Sequence, residues 1–164
     1  MFKAFLIAAT LLFGQKPEGT GIIAGTVAVA PQQKISHPVQ VILLSPRYMN
    51  LWNSDVQKRL DRYWENYKPA FARQKEFFFE MSKQAHREAT NYILTRMRRD
   101  SSSNVSDYLQ ETSLDGKFEF RNVPFGEYKI LALGRIGDQD IMWQEFVDVH
   151  SSIPQYLELK KRVP

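Results

Sequence analysis

The chain has 164 residues, a formal net charge of +4, 43% hydrophobic and 24% charged residues, and no cysteine. Such a length suits one domain with a full core. The missing thiol excludes disulfides, cysteine-ligated zinc, thiol catalysis and a lipid attached through cysteine, while the mild positive charge selects no partner by itself.

Lys3 precedes a ten-residue apolar run over 4–13. At about 1.5 Å per residue the run covers roughly 15 Å, half of a bilayer's hydrocarbon core. It reads as a signal peptide over residues 1–15, so the expected location is periplasmic or extracellular, in a bacterial setting where a cysteine-free chain is ordinary. No later segment is long and apolar enough to make a transmembrane segment of the mature chain.

After a polar linker from Lys16 to Gly21, residues 22–30 alternate, with Ile23, Gly25, Val27 and Val29 on one face. Residues 39–44 (VQVILL) predict a second strand with Val39, Val41 and Leu43 on one side. The period then changes. From Arg47 to Asp100 there is no glycine and one proline, Pro69, and apolar residues recur in steps of three and four: Trp52, Val56, Leu60, Tyr63, Tyr67, Phe71, then Phe78, Met81, Ala85, Ala89, Tyr92. One straight helix over 54–99 would be about 68 Å long. The twelve residues 100–111 reach back only about 40 Å. The chain therefore folds back, and Lys68-Pro69 is the expected break between helices over 50–67 and 70–99. Ala85 and Ala89 would admit Tyr63, Trp64 and Tyr67 across the hairpin.

Residues 112–132 (TSLDGKFEFRNVPFGEYKILA) return to strand period. Phe118 and Phe120 share one parity and Tyr128, Ile130 and Ala132 another, with turn signals at Asp115-Gly116 and at 124–126. Two consecutive antiparallel strands, a hairpin, are expected here. A turn over 134–140, a strand over 141–149 and a last strand over 156–161 complete the pattern. The fold class is mainly β with an α insertion: an antiparallel sandwich of six to seven strands, residues 16–45 and 111–164, interrupted by a helical hairpin over 46–110.

Gly25-Thr26-Val27, then Pro38-Val39-Gln40-Val41-Ile42-Leu43, then residues 112–132 stand in the order G-x-V, P-V-x-V-x-L, T-x-x-D-G-x-F-x-F-x-N-V-P-x-G-x-Y-x-L-x-A. This succession resembles the carboxypeptidase regulatory-like domain, a transthyretin-like or prealbumin-like sandwich. The resemblance implies a non-catalytic binding or scaffolding module without cofactor. It does not cover the helical insertion, and the fold alone licenses no activity.

The three histidines, His37, His86 and His150, have no partner at metal-ligand spacing. No G-x-S-x-G, P-loop or GxGxxG is present, so neither an enzyme nor a resident cofactor or metal is expected. Residues 47–100 hold ten of the 21 aromatics and carry twelve Lys and Arg against seven Asp and Glu. Most of these aromatics must build the hairpin's own core. The remainder makes the insertion the candidate contact element, with Trp52, Trp64, Phe77, Phe79, Arg73, Lys83 and Arg87 as candidate partner-binding residues. The expected partner is a protein or a cell-envelope polymer, with a carbohydrate-binding module as the alternative and a small hydrolase behind it. Peripheral contact with anionic lipid is a third reading. Nucleic acid is not expected, since charges of both signs interleave.

Overall fold

The computed structural model describes residues 18–29, 35, 37–71, 73–102 and 104–160; the expected signal segment lies outside them. Strand β1 (Thr20–Val27) lies between β4 (Lys117–Pro124) and β7 (Gln155–Leu159) in one sheet. In the other, the order is β3 (Leu109–Glu111), β2 (Gln40–Leu44), β5 (Gly126–Ile136) and β6 (Gln139–Val149). Pairing is antiparallel except between β1 and β7. Helices α1 (Pro46–Phe71) and α2 (Lys75–Arg99) are inserted between β2 and β3. The architecture is a β-sandwich interrupted by a helical hairpin.

The inner core follows the strand parities. Ile23, Val27, Phe118, Phe120 and Leu159 from the three-stranded sheet meet Val39, Val41, Leu43, Tyr128, Ile130, Ala132 and Trp143 from the four-stranded one. Phe120 and Val123 both reach this core although they are three positions apart. A bulge makes this possible: Gly21 pairs with Val123 and Ile23 with Phe120, so β4 holds one residue more than β1 over that step. Asn122 within it has φ 54°, a conformation that Asn tolerates better than most residues.

A second core lies on the outer face of the four-stranded sheet. Ile42, Leu44 and Leu131 are covered there by Tyr48, Trp52 and Val56 of α1 and by Ala89, Ile93, Leu94 and Met97 of α2. The sheet is buried on both sides, which is why β2 and β5 carry apolar runs in place of alternation.

Several expectations are corrected. Strands β4 and β5 form no hairpin; they lie in different sheets. Only Phe125 separates them, and a β-hairpin needs at least two connecting residues. The corner at 124–126 carries the chain across the sandwich and is tied by Tyr128, whose hydroxyl donates to the Pro124 carbonyl at 2.8 Å. The Asp115-Gly116 turn likewise joins β3 and β4 of opposite sheets. The hairpin is β5–β6, closed by Gly137-Asp138, and Gly134 belongs to the strand. A Cβ at Gly134 would lie 2.7 Å from Val39 Cγ2 and 3.4 Å from Trp143, so any larger residue there would have to displace the buried Val39 side chain.

The helices also differ from expectation. Helix α1 begins at Pro46, where a missing N–H costs nothing, and passes through Pro69 to Phe71. The reversal comes four to five residues later than expected, with Arg73 and Gln74 both donating to the Ala70 carbonyl. Pro69 is exposed in the last turn, while the Phe71 ring is buried against Trp64, Tyr67, Phe77 and Phe78. That packing outweighs one lost backbone bond. On α2, Phe78 and Tyr92 are exposed, and the buried stripe continues instead through Ile93, Leu94 and Met97. Ala89 admits α1 closely, but it shares the sheet-side core with Trp52 and Val56 and not with Tyr63, Trp64 and Tyr67.

Trp52 joins the layers. Its indole N–H donates to Thr90 Oγ1 at 3.0 Å, and the Thr90 hydroxyl donates to the His86 carbonyl. Trp52→Ala is expected to destabilise the protein by about 3–5 kcal/mol in urea unfolding. Two deletions separate the hairpin's halves. Replacing residues 61–82 by a short Gly-containing turn should leave a cooperative unfolding transition, whereas removing 47–107 should abolish it by exposing Ile42, Leu44 and Leu131.

Candidate functional site

The sheet-side core takes helical residues up to Leu60 on α1. The eleven residues from Asp61 to Phe71 extend beyond it, roughly 16 Å of helix. This overhang has its own centre. Phe71 stacks on Trp64 at 5.6 Å with 20° between planes and meets Phe77 and Phe78 at 5.6 and 5.5 Å, while Tyr67 meets Phe77 edge-on at 5.6 Å. Trp64, Tyr67, Phe78 and Phe79 nevertheless remain 43, 42, 41 and 50% exposed. Below them, Arg59 of α1 is bound by Asp55 and by Glu88 of α2, and Glu88 also accepts from Tyr63 at 3.0 Å and Gln84 at 2.9 Å. Those donors hold the Glu88 carboxyl below its ordinary range, Gln84 contributing most. The network clamps the two helices where the sheet support ends.

The seven residues singled out from sequence fall in three places. Trp64, Phe77, Phe79 and Arg73 belong to the overhang. Trp52 does not reach solvent: it is 2% exposed, packs in the core between helices and sheet, and bonds α1 to α2. Its helical position was readable, but the sheet beneath it was not. Of the three tryptophans only Trp64 is exposed, so a row of tryptophans for sugar stacking is absent.

Lys83 and Arg87 lie elsewhere, on the wall of a groove of about 570 Å³ between α2 and the β5–β6 hairpin. His86 and Asn91 continue that wall, Leu133, Ile141 and Met142 form apolar lining, and Arg135, Gln139 and Asp140 come from the β5–β6 end. Residues 83, 87 and 91 follow one line of α2 at i,i+4 spacing. Arg87 and Arg135 pair with different oxygens of Asp140, at 3.5 and 3.8 Å. His86 has its Nδ1 2.8 Å from the Ser82 carbonyl, which assigns the proton to that nitrogen, and burial lowers its pKa. Sequence reading missed Arg135 and Asp140 because the groove forms only when β5–β6 meets α2.

A third region lies at the hairpin's base. Arg96 is nine residues, two and a half turns, from Arg87 and so projects on the opposite side of α2. Arg47, Arg96 and Arg99 line a hollow of about 480 Å³ with Tyr48, Tyr92 and Asp100. Asp100 accepts from Ser102 Oγ and from the Tyr48 hydroxyl, each at 2.6 Å, and from the Ser102 amide at 3.1 Å. These bonds, with Arg47 nearby, lower its pKa to about 2.

Positive charge and exposed aromatics are thus separated. Residues 61–83 carry five Lys and Arg against four Asp and Glu, while 47–60 with 84–100 carry seven against three. Among the described residues no cluster of three or more His, Asp or Glu could hold a metal. None of the described helices is long and apolar enough to cross a membrane.

The fold is a β-sandwich carrying an inserted helical hairpin, and comparison with known proteins adds little to that class. The chain matches no protein-family model, and no curated protein matches it in sequence. Among solved structures it is similar to a candidate carbohydrate-binding protein from Pseudomonas aeruginosa, with 17% identity over 88% of this chain and 90% of the other and a TM-score of 0.37. Two structures of the pilus backbone protein RrgB from Streptococcus pneumoniae are also similar. They show 13 and 12% identity over 80 and 87% of this chain, each with a TM-score of 0.32. This chain spans about a third of the RrgB structures, 34 and 31% of their length.

The Asp100 bonds predict a pH dependence. Its folded pKa of about 2 lies below the ordinary 3.8, so its stabilisation is whole above the latter and is lost as pH falls through the former. In urea unfolding, the gap between wild type and Asp100→Asn should be constant near neutrality, shrink below about pH 4 and close only below about pH 2.

Proposed function

We propose that the protein is an exported, non-catalytic binding module of the carboxypeptidase regulatory-like kind, which contacts another protein through the overhanging end of its helical hairpin. One observation carries this reading: four large aromatic side chains stay about half exposed on a segment that the sandwich does not need for its core. Aromatic side chains held rigid by their neighbours are the usual anchors of protein interfaces. The segment's near-neutral balance of five positive against four negative charges favours an apolar protein surface over anionic lipid or nucleic acid. Trp64 and Phe79 are the anchors, Phe77 supports them through its contacts with Tyr67 and Phe71, and Arg73 stands at the reversal between the helices. The apo surface also fits the role in one further respect: the clamp at Arg59 and Glu88 holds the segment in place before a partner arrives.

A photo-crosslinking side chain in place of Phe79, in the full chain expressed with its export segment, tests the assignment. A discrete adduct to one protein is expected, and it should disappear on adding Trp64→Ser. The same side chain in place of Glu119, exposed on β4, should give no such adduct. Identical adducts from both positions, or adducts unchanged by Trp64→Ser, would sink the reading. An adduct only to a second copy of the chain would replace the external partner with self-association.

A further inference from the structure

The groove beside α2 has a chemistry that the aromatic end of the hairpin does not share. Two arginines from separate elements, Arg87 on α2 and Arg135 on β5, face one carboxylate, and each addresses a different oxygen of it. Their separations from Asp140, 3.5 and 3.8 Å, exceed the roughly 2.7–2.9 Å of a charge-assisted hydrogen bond. Asp140 therefore pairs with both guanidinium groups as an ion without a close hydrogen bond to either. All three side chains are more than half exposed, so an incoming group meets them without rearranging the core. Lys83 adds a third cation to the groove, though it is paired with Glu80 at 2.8 Å.

The remaining lining restricts what can enter. Leu133, Ile141, Met142 and Pro38 supply an apolar surface without a phenyl, phenol or indole ring, and His37 adds an exposed imidazole that can donate or accept. Asn91 and Gln139 supply amides that both donate and accept. With its Nδ1 proton on Ser82, His86 leaves Nε2 as an acceptor. Cations beside amides and an acceptor suit a ligand that joins a carboxylate to hydroxyl groups. The volume of about 570 Å³ matches a small molecule.

We propose that this groove binds a small hydroxylated carboxylate of the acidic-sugar type. Its carboxylate takes the position between Arg87 and Arg135 that Asp140 occupies in the free protein, and its hydroxyl groups pair with Asn91 and Gln139. Asp140 is then a placeholder that competes with the ligand. This site is independent of the hairpin's aromatic end, and either assignment can fail without the other.

Titration calorimetry of the full chain with glucuronate, glucose, acetate and inorganic phosphate tests it. Glucuronate should bind, and glucose, which lacks the carboxylate, should bind about tenfold more weakly or not at all. Arg87→Gln and Arg135→Gln should each weaken glucuronate by about tenfold. Asp140→Asn should tighten it by about threefold, since it removes only an exposed competitor. Thermal unfolding of all three variants should match wild type, which separates loss of binding from loss of fold. The proposal is overturned if glucuronate fails to bind, or if Asp140→Asn weakens it, making Asp140 part of the ligand's own contacts. Phosphate or acetate binding as tightly as glucuronate would also overturn it, by showing a site for any anion.

Discussion

The four-stranded sheet is buried on both faces, and the other layers are arranged around that constraint. Its inner face meets the three-stranded sheet through Val41, Ile130 and Trp143, and its outer face meets the helices through Ile42, Leu44 and Leu131. A sheet so covered has little room for polar side chains, yet Lys129 lies on its helix side and is 5% exposed. The ammonium group is accommodated by the rings of Trp52 and Phe146 at 4.2 and 4.8 Å and by the Asn53 side-chain carbonyl at 3.2 Å. Trp52 thus caps a lysine from one side while its N–H fastens α1 to α2. The hairpin's root is a structural layer of the domain.

Beyond that root the hairpin has a different character. Its aromatic rings pack on one another instead of on the sheet, and the Arg59–Glu88–Tyr63 network marks the change. The positive charge stays behind, divided between the groove at Arg87 and the hollow at Arg47, Arg96 and Arg99. Averaged over the insertion, charge and aromatics look like a single basic aromatic surface. In space they are three surfaces with separate chemistries. Regular helix geometry accounts for part of this, since it sends Arg87 and Arg96 to opposite sides.

Much of the fold was legible along the chain. The inward sets Val39, Val41, Leu43 and Tyr128, Ile130, Ala132 follow from strand period alone and appear in the inner core. The break in period at Arg47 marks the helical insertion. Strand pairing was not legible, because a Pro-Gly corner between two alternating runs looks the same whether it closes a hairpin or crosses between sheets. Spacing marked Trp52 as aromatic and on a helix, but whether it meets solvent depends on what lies under that helix. Among the candidate contact residues, Trp64, Phe77 and Phe79 joined one aromatic cluster through Phe71 and Phe78, while Lys83 and Arg87 joined Arg135 and Asp140 from about fifty residues away.

By itself the sequence determined the periods, and so the element types and the face each strand side chain takes, because backbone geometry imposes repeats of two and 3.6 on any chain. Tertiary structure decided which of those faces meet. It placed β4 and β5 in different sheets, buried Trp52 between the helices and the sheet, left Trp64 and Phe79 outside, and brought Arg87 to Asp140. These outcomes rest on contacts between residues far apart in the chain, and local periodicity carries no record of them.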